Sequence, residues 1–75
     1  MNYYLIELTT YMDTTPDAKG IYGYATMDEA VANFHTKLGG AMKNANYKSE
    51  CVVVITNTGT TVKSEYWARS AEVEE

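Results

Sequence analysis

The chain has 75 residues, a single cysteine and a formal net charge of −4. A domain of this length buries only about 60% of the surface that its unfolded form exposes, so its own core gives marginal stability. Cys51 has no second cysteine to pair with, and no cluster of Cys, His and acidic residues has zinc spacing. We therefore expect neither a metal nor a cofactor, and self-association is the remaining way to add stability.

Charge and hydropathy limit the cellular location and the partners that we expect for the protein. Three of the ten acids, Glu72, Glu74 and Glu75, lie in a tail of residues 71–75 that we expect to be frayed, which leaves residues 1–70 as one nearly neutral domain. Residues 1–8 lack the cations of a secretory signal, and no apolar run approaches the roughly 20 residues of a membrane span. The expectation is a cytoplasmic protein without a membrane partner and without duplex nucleic acid.

The first half of the chain predicts two strands and the start of a helix. Residues 2–11 alternate as a strand, a polar loop with Pro16 follows, and residues 19–25 form a second strand, so the two should make a hairpin with a long loop. Thr26 and Glu29 have the spacing of a capping box. A helix should therefore begin at Met27.

Gly39 and Gly40 interrupt the helical pattern and leave two alternatives. Either the helix ends at Leu38 with a glycine cap, or it continues to about residue 44 and the glycines allow another backbone to approach closely. Ala41 and Met42 stay in phase with the apolar stripe, which favours continuation.

The second half predicts another hairpin. Residues 51–56 and 60–69 form strands joined by a tight turn with Gly59 at the left-handed position. The predicted fold is α+β, in the order ββαββ: a four-stranded, mainly antiparallel sheet with one helix packed on one face.

Alternation along the strands sorts the sheet into two faces. We expect the helix to cover the face that carries Tyr4, Ile6, Leu8, Ile21, Gly23, Ala25, Cys51, Val53, Ile55, Val62, Tyr66 and Ala68. The opposite face is rich in tyrosine and tryptophan and would be left uncovered. Such aromatic surfaces are enriched where proteins meet. The predicted homo-oligomer interface comprises Tyr3, Leu5, Tyr11, Val52 and Val54.

The same uncovered face also predicts a small-molecule site between subunits. Tyr22, Tyr24 and Trp67 would stack on a nucleotide-like base, because bases stack on aromatic planes. Phosphate would meet cations, since charge-assisted bonds from Arg and Lys suit it. The predicted phosphate ligands are Arg69, Lys63 and Lys37, with His35 as a weaker candidate.

Catalysis is not expected from this sequence. His35 is the single histidine and lies at the rim of the apolar helix stripe, while Asp28 and Glu29 are explained by helix capping. No phosphate-binding glycine loop, nucleophile elbow or zinc-protease motif occurs.

Four segments together resemble small uncharacterised proteins encoded in prophages of gut Firmicutes: residues 2–11, 22–24, 28–38 and 63–67. In that group an alanine-rich stretch often stands where this chain has Gly39-Gly40-Ala41. The resemblance implies a phage setting, in which short oligomeric proteins often act against host defence. The function expected on this basis is a non-enzymatic sponge that sequesters a cyclic nucleotide or ADP-ribose-type immune signal. The alternative is a protein-interaction module, either a virion-assembly accessory or an inhibitor of a host defence protein.

Overall fold

The computed structural model describes residues 2–69. Its elements are β1 (Tyr3–Tyr11), β2 (Ala18–Tyr24), α1 (Met27–Lys43), β3 (Tyr47–Thr56) and β4 (Thr61–Ala68). The strands form one antiparallel sheet in the order β2-β1-β3-β4, and α1 packs against it. The predicted α+β, ββαββ fold is confirmed, whereas the prediction of a frayed tail at residues 71–75 lies outside the described residues.

Both predicted hairpins are present. β1 pairs with β2 across the long polar loop, and β3 pairs with β4 across a short turn in which Gly59 has a φ of +93°. Thr56 holds this turn, because its hydroxyl accepts hydrogen bonds from the backbone N–H groups of Thr58 and Thr60. The two hairpins meet where β1 pairs with β3, so β1 and β3 are the central strands.

β3 begins at Tyr47, four residues before the predicted start. The polar stretch before Cys51 carries no apolar alternation and predicted a loop. In the structure Thr9 pairs with Glu50 and Tyr11 pairs with Tyr47, so the ladder with β1 extends the strand. Backbone pairing with a long neighbouring strand has outweighed the low strand propensity of these residues.

The helix follows its sequence signals closely. Thr26 is the N-cap, and its hydroxyl oxygen accepts a hydrogen bond from the backbone N–H of Glu29 at 3.2 Å. α1 then continues through both glycines to Lys43, as the phase of the apolar stripe predicted. A Cβ at Gly39 or Gly40 would meet nothing within 4 Å, so no backbone of residues 2–69 approaches there.

α1 crosses the sheet diagonally. It starts after β2, which is one edge strand, and its C-terminal end is tied to the end of β4, the other edge, where Arg69 donates to the carbonyl oxygen of Asn44 at 2.7 Å. Its closest packing is on β3. No helix in residues 2–69 has the length and apolar character needed to cross a membrane.

The core lies between α1 and the central strands. Ala30 and Phe34 of the helix pack on Leu5, Val52 and Val54, and each of these three strand residues is 0% exposed. The helix therefore covers the face that we expected to be open, so the predicted assignment of the two sheet faces is wrong.

The cause is the narrow width of one helix. An α-helix is only about 10 Å across, so it covers the two central strands and leaves the flanks of the same face to other side chains. Tyr3, Tyr24 and Val62 fill these flanks and pack against the core. Large amphipathic side chains suit this position because their bodies pack while their polar tips reach water. The aromatic residues that suggested an uncovered face thus border the helix.

Candidate functional site

The sheet surface opposite α1 has no covering element in residues 2–69, and we call it the bare face. It carries alternate residues from all four strands. The polar ones include Thr10, Ser49 and Ser64, and the large apolar ones are Tyr4, Ile6, Leu8, Ile21, Cys51, Val53, Ile55 and Tyr66. Cross-strand pairing makes it continuous, since Ile6 lies between Ile21 and Val53, and Cys51 lies between Leu8 and Tyr66.

Several of these side chains are open to solvent. Ile21 is 70% exposed, Tyr66 is 64% exposed and Leu8 is 48% exposed. Single exposed hydrophobic residues are ordinary on protein surfaces, but contiguous apolar patches usually mark a contact with another molecule. Lys19, on edge strand β2 beside Leu8, is the charged residue that the described strands place on this face.

The five predicted interface residues lie on the other side of the sheet. Leu5, Val52 and Val54 are buried beneath α1, and Tyr3 packs against the same core. Tyr11 contacts Tyr47 edge to face, with ring centroids 5.4 Å apart. The core residues cannot contact a second chain while the helix stays in place. The prediction of an uncovered apolar face is retained, but its residues are the alternate set.

The predicted ligand residues are divided between the two edges of the sheet. On the β2 edge, the Lys37 ammonium lies 4.1 Å from the centroid of the Tyr22 ring and 3.5 Å from Oε1 of Glu7. On the β4 edge, the Arg69 guanidinium stacks at 5.1 Å from the Trp67 ring. These edges are three strand spacings apart, about 14 Å, so the predicted stacking and phosphate-binding residues do not form one pocket.

The cations that were predicted to meet phosphate already have partners in the chain. Arg69 donates from Nε to the carbonyl oxygen of Tyr47 at 2.9 Å, in addition to its bond to the helix end. Lys63 lies 5.7 Å from the centroid of the Phe34 ring. His35 is exposed and meets Phe34 edge on, while Tyr24 packs against the core. Ligand binding by these residues stays a prediction.

A second feature lies on the helix side, at the corner that diagonal α1 leaves uncovered. This corner pocket has a volume of about 230 Å³ and is lined by Glu7, Thr9, Tyr11, Ala18, Lys19, Gly20, Tyr22 and Tyr47. Gly20 positions one wall, because a Cβ there would lie 2.7 Å from the Tyr22 hydroxyl. The missing side chain lets the Tyr22 ring lie along its own strand.

The carboxyl group of Glu7 lines this pocket, and that of Glu50 is buried next to the lining residue Thr9. Glu50 is fully buried, its Oε1 accepts a hydrogen bond from the Thr9 hydroxyl at 2.5 Å, and its Oε2 has no hydrogen-bond partner among the described residues. Burial raises the pKa of Glu50 to about 8, and the nearby Glu7 carboxylate adds to the rise. Glu50 is therefore mostly protonated at neutral pH.

The pKa values of Lys37 and Tyr47 are shifted by the same surroundings. Burial opposes the charge of Lys37, but Glu7 and Tyr22 more than compensate and raise the pKa of its ammonium. Burial, followed by the neighbouring Tyr11, raises the pKa of the Tyr47 hydroxyl. The pKa shifts of Glu50, Lys37 and Tyr47 all favour the protonated form of the group.

Sequence reasoning missed Glu50, Tyr47, Thr9 and Gly20 as neighbours. A usable signal existed for Glu50, because stepping back by two from Val54 and Val52 places residue 50 on the same face. The predicted loop at residues 44–50 hid it.

Comparisons of the chain with protein-family models, with curated proteins and with solved structures found no match.

Proposed function

We propose that this protein is a non-enzymatic interaction module that self-associates through its bare face. The observation that carries the proposal is the continuous row of aliphatic and aromatic side chains across all four strands, in which Ile21, Leu8 and Tyr66 are exposed and the others are half-buried. Antiparallel sheets ordinarily alternate apolar residues toward the core with polar residues toward water. This sheet has apolar residues on both sides.

The size of the bare face suits a second copy of the chain. Four strands about 4.8 Å apart and about eight residues long cover roughly 500 Å². Weak specific interfaces bury up to about 600 Å² per partner, so this area supports a dimer at the low end of stability. Two such faces pack about 10 Å apart in a sandwich, with the helices on the outside.

Charge also favours a second copy. A symmetric dimer places each surface against itself, so a face with many charges would oppose like charges. Here the charge is limited to Lys19 on an edge strand, where its side chain is exposed at the rim. A small domain with marginal intrinsic stability also gains most from burying such a surface.

The more specific functions predicted from the sequence have less structural support than self-association. The prophage setting and the sponge for a nucleotide-derived signal stay predictions, since the Lys37 and Arg69 groups assigned to phosphate are engaged within the chain. An interaction module, the alternative function, requires only the apolar surface.

The test is the mass of the protein in solution, measured by light scattering over a range of concentrations, with the variant Leu8→Glu. In one protomer the new carboxylate would lie beside Lys19 across the strand pair, so the fold should survive. In a dimer it would be buried in an apolar interface, which is strongly unfavourable. We expect a dimer for the unchanged protein and a monomer for Leu8→Glu.

Met27→Glu is the matched control, because Met27 is 46% exposed, close to the 48% of Leu8, and lies at the start of α1 on the other side of the sheet. A carboxylate at a helix start is also favourable. This variant should remain a dimer. A monomeric unchanged protein, or equal dissociation by both variants, would refute the proposal.

A further inference from the structure

The corner pocket lies on the opposite side of the sheet from the bare face and is independent of self-association. Two residues that line the pocket, Glu7 and Tyr22, already bind a cationic side chain of the protein, Lys37. The Lys37 ammonium lies against the Tyr22 ring and pairs with Glu7, at 4.1 Å from the ring centroid and 3.5 Å from the carboxylate. An aromatic ring and a carboxylate around one ammonium are the elements of a cation site.

The rest of the pocket extends the same chemistry beyond Lys37. Tyr11 and Tyr47 form a perpendicular aromatic pair at 5.4 Å on the side away from the Lys37 contact. Ala18 contributes only a small side chain to the wall, and the Tyr22 ring lies over Gly20 and forms the wall there. Glu50 is hydrogen-bonded to the lining residue Thr9, but it is buried and mostly protonated, so Glu7 is the acidic group that offers a negative charge here.

We infer that the corner pocket binds a small alkylammonium ion, of the choline or methylated-amine class. The aromatic surfaces of Tyr11, Tyr22 and Tyr47 would contact the cation, and Glu7 would supply the opposite charge. The volume of about 230 Å³ accommodates a group of this size. Lys37 is then the resident cation, and it competes with the ligand for the Glu7 carboxylate.

The ligand inferred here is a cation, whereas the ligand predicted from the sequence was an anion. Lys37 was predicted to meet phosphate, but its side chain is directed at an acid on β1. A phosphate in this pocket would face the Glu7 carboxylate and the aromatic rings, which have negative faces. A cation would face the Glu7 carboxylate and the tyrosine rings, and the opposing charges would be those of Lys37 and of Lys19 in the pocket lining.

The test is an NMR titration of the ¹⁵N-labelled protein with choline and, separately, with 3,3-dimethyl-1-butanol, its neutral isostere. The two probes have the same shape and differ in charge. We expect choline to shift the amide signals around Gly20, Tyr22 and Tyr47 and to bind at least tenfold more tightly than the alcohol. Equal affinity for the two probes, or choline shifts confined to other residues, would overturn the inference.

Two variants decide the roles of the charged groups. Lys37→Met removes the competing cation and should tighten choline binding about fivefold or more, whereas Glu7→Gln should weaken it at least tenfold. Lys43→Met is the matched control, since Lys43 is an exposed lysine in the last turn of the same helix and lies outside the pocket lining. It should leave choline affinity unchanged.

A nucleotide probe separates this site from the one predicted by the sequence. Titration with ADP-ribose should leave the pocket signals unshifted. If ADP-ribose shifts them and Lys37→Met weakens that response, the pocket is an anion site and the inference is wrong. None of these outcomes depends on whether the bare face pairs, so failure here and failure of the proposed function are distinguishable.

Discussion

The two faces of the sheet share one backbone but differ in which side chains they carry and in what covers them. The face under α1 has a fully buried centre at Leu5, Val52 and Val54, and its borders carry long side chains with polar tips. The bare face is mainly apolar, with small polar residues at Thr10, Ser49 and Ser64 and a charge at Lys19. The difference teaches that the face with more polar atoms is the one that a narrow helix covers, because the residues beside the helix must reach water.

The largest expected effect on stability comes from a substitution on the covered face, because that face forms the core of the protomer. Phe34→Ala removes the largest buried side chain and should lower the free energy of unfolding by about 3–5 kcal/mol. This loss is comparable with the whole stability of a small domain. Circular dichroism during urea denaturation will measure it.

Ile21→Ala is the counterpart on the bare face. Because Ile21 is 70% exposed in the protomer, its truncation should change the stability of a dilute sample by less than about 0.5 kcal/mol. At high protein concentration the same variant should be less stable than the unchanged protein, since the dimer is stabilised by mass action. A large loss at every concentration would show that Ile21 belongs to a core within one chain.

A second prediction concerns pH and the buried carboxyl of the covered face. The pKa of Glu50 is raised from 4.5 to about 8, so the folded state retains a proton that the unfolded state releases in this window. The contribution of Glu50 is therefore fully present below about pH 4.5 and is lost as the pH rises through 8. Stability should fall from pH 5 to pH 8.5.

Glu50→Gln keeps the shape of the side chain but removes the carboxyl group that titrates. The stability of this variant should depend less on pH than that of the unchanged protein over the same range, measured by urea denaturation at pH 5, 6.5 and 8.5. Glu65→Gln, which changes an exposed carboxyl on β4, should keep the original slope. An identical slope in Glu50→Gln would contradict the role given to burial.

A further variant tests whether the outer surface of α1, rather than the bare face, meets a partner. Gly40 is exposed within the helix, and a Cβ there has open space. Gly40→Ala should raise the free energy of unfolding by up to about 1 kcal/mol, because glycine is the poorer helix former. The dimer should form as before. Loss of the dimer in this variant would place the contact on the helix.

Much of the fold could be predicted from local signals. The Thr26 cap, the in-phase Ala41 and Met42, and Gly59 in the second hairpin each act within a few residues, and the structure confirms all three. Strand order could not be predicted, because it depends on which edges the two hairpins bring together. The start of β3 at Tyr47 was missed for the same reason, since pairing with β1 defines it.

The site was harder to predict because alternation gives two faces without saying which one the helix covers. Both sets were apolar enough to form a core. A one-residue offset exchanges every side chain between the faces, so this single choice moved the whole predicted interface. Glu7 gave no sequence signal of its partnership with Lys37, which is 30 positions away and depends on the tilt of α1.

The central claim is that a second copy of the chain covers the bare face, and an isotope-filtered NMR experiment on a mixture of labelled and unlabelled protein tests it most directly. We expect intermolecular proton contacts from Leu8, Ile21 and Tyr66, and none from Phe34 or Leu5. Intermolecular contacts confined to the helix side, or none at any concentration at which the protein stays folded, would contradict the account.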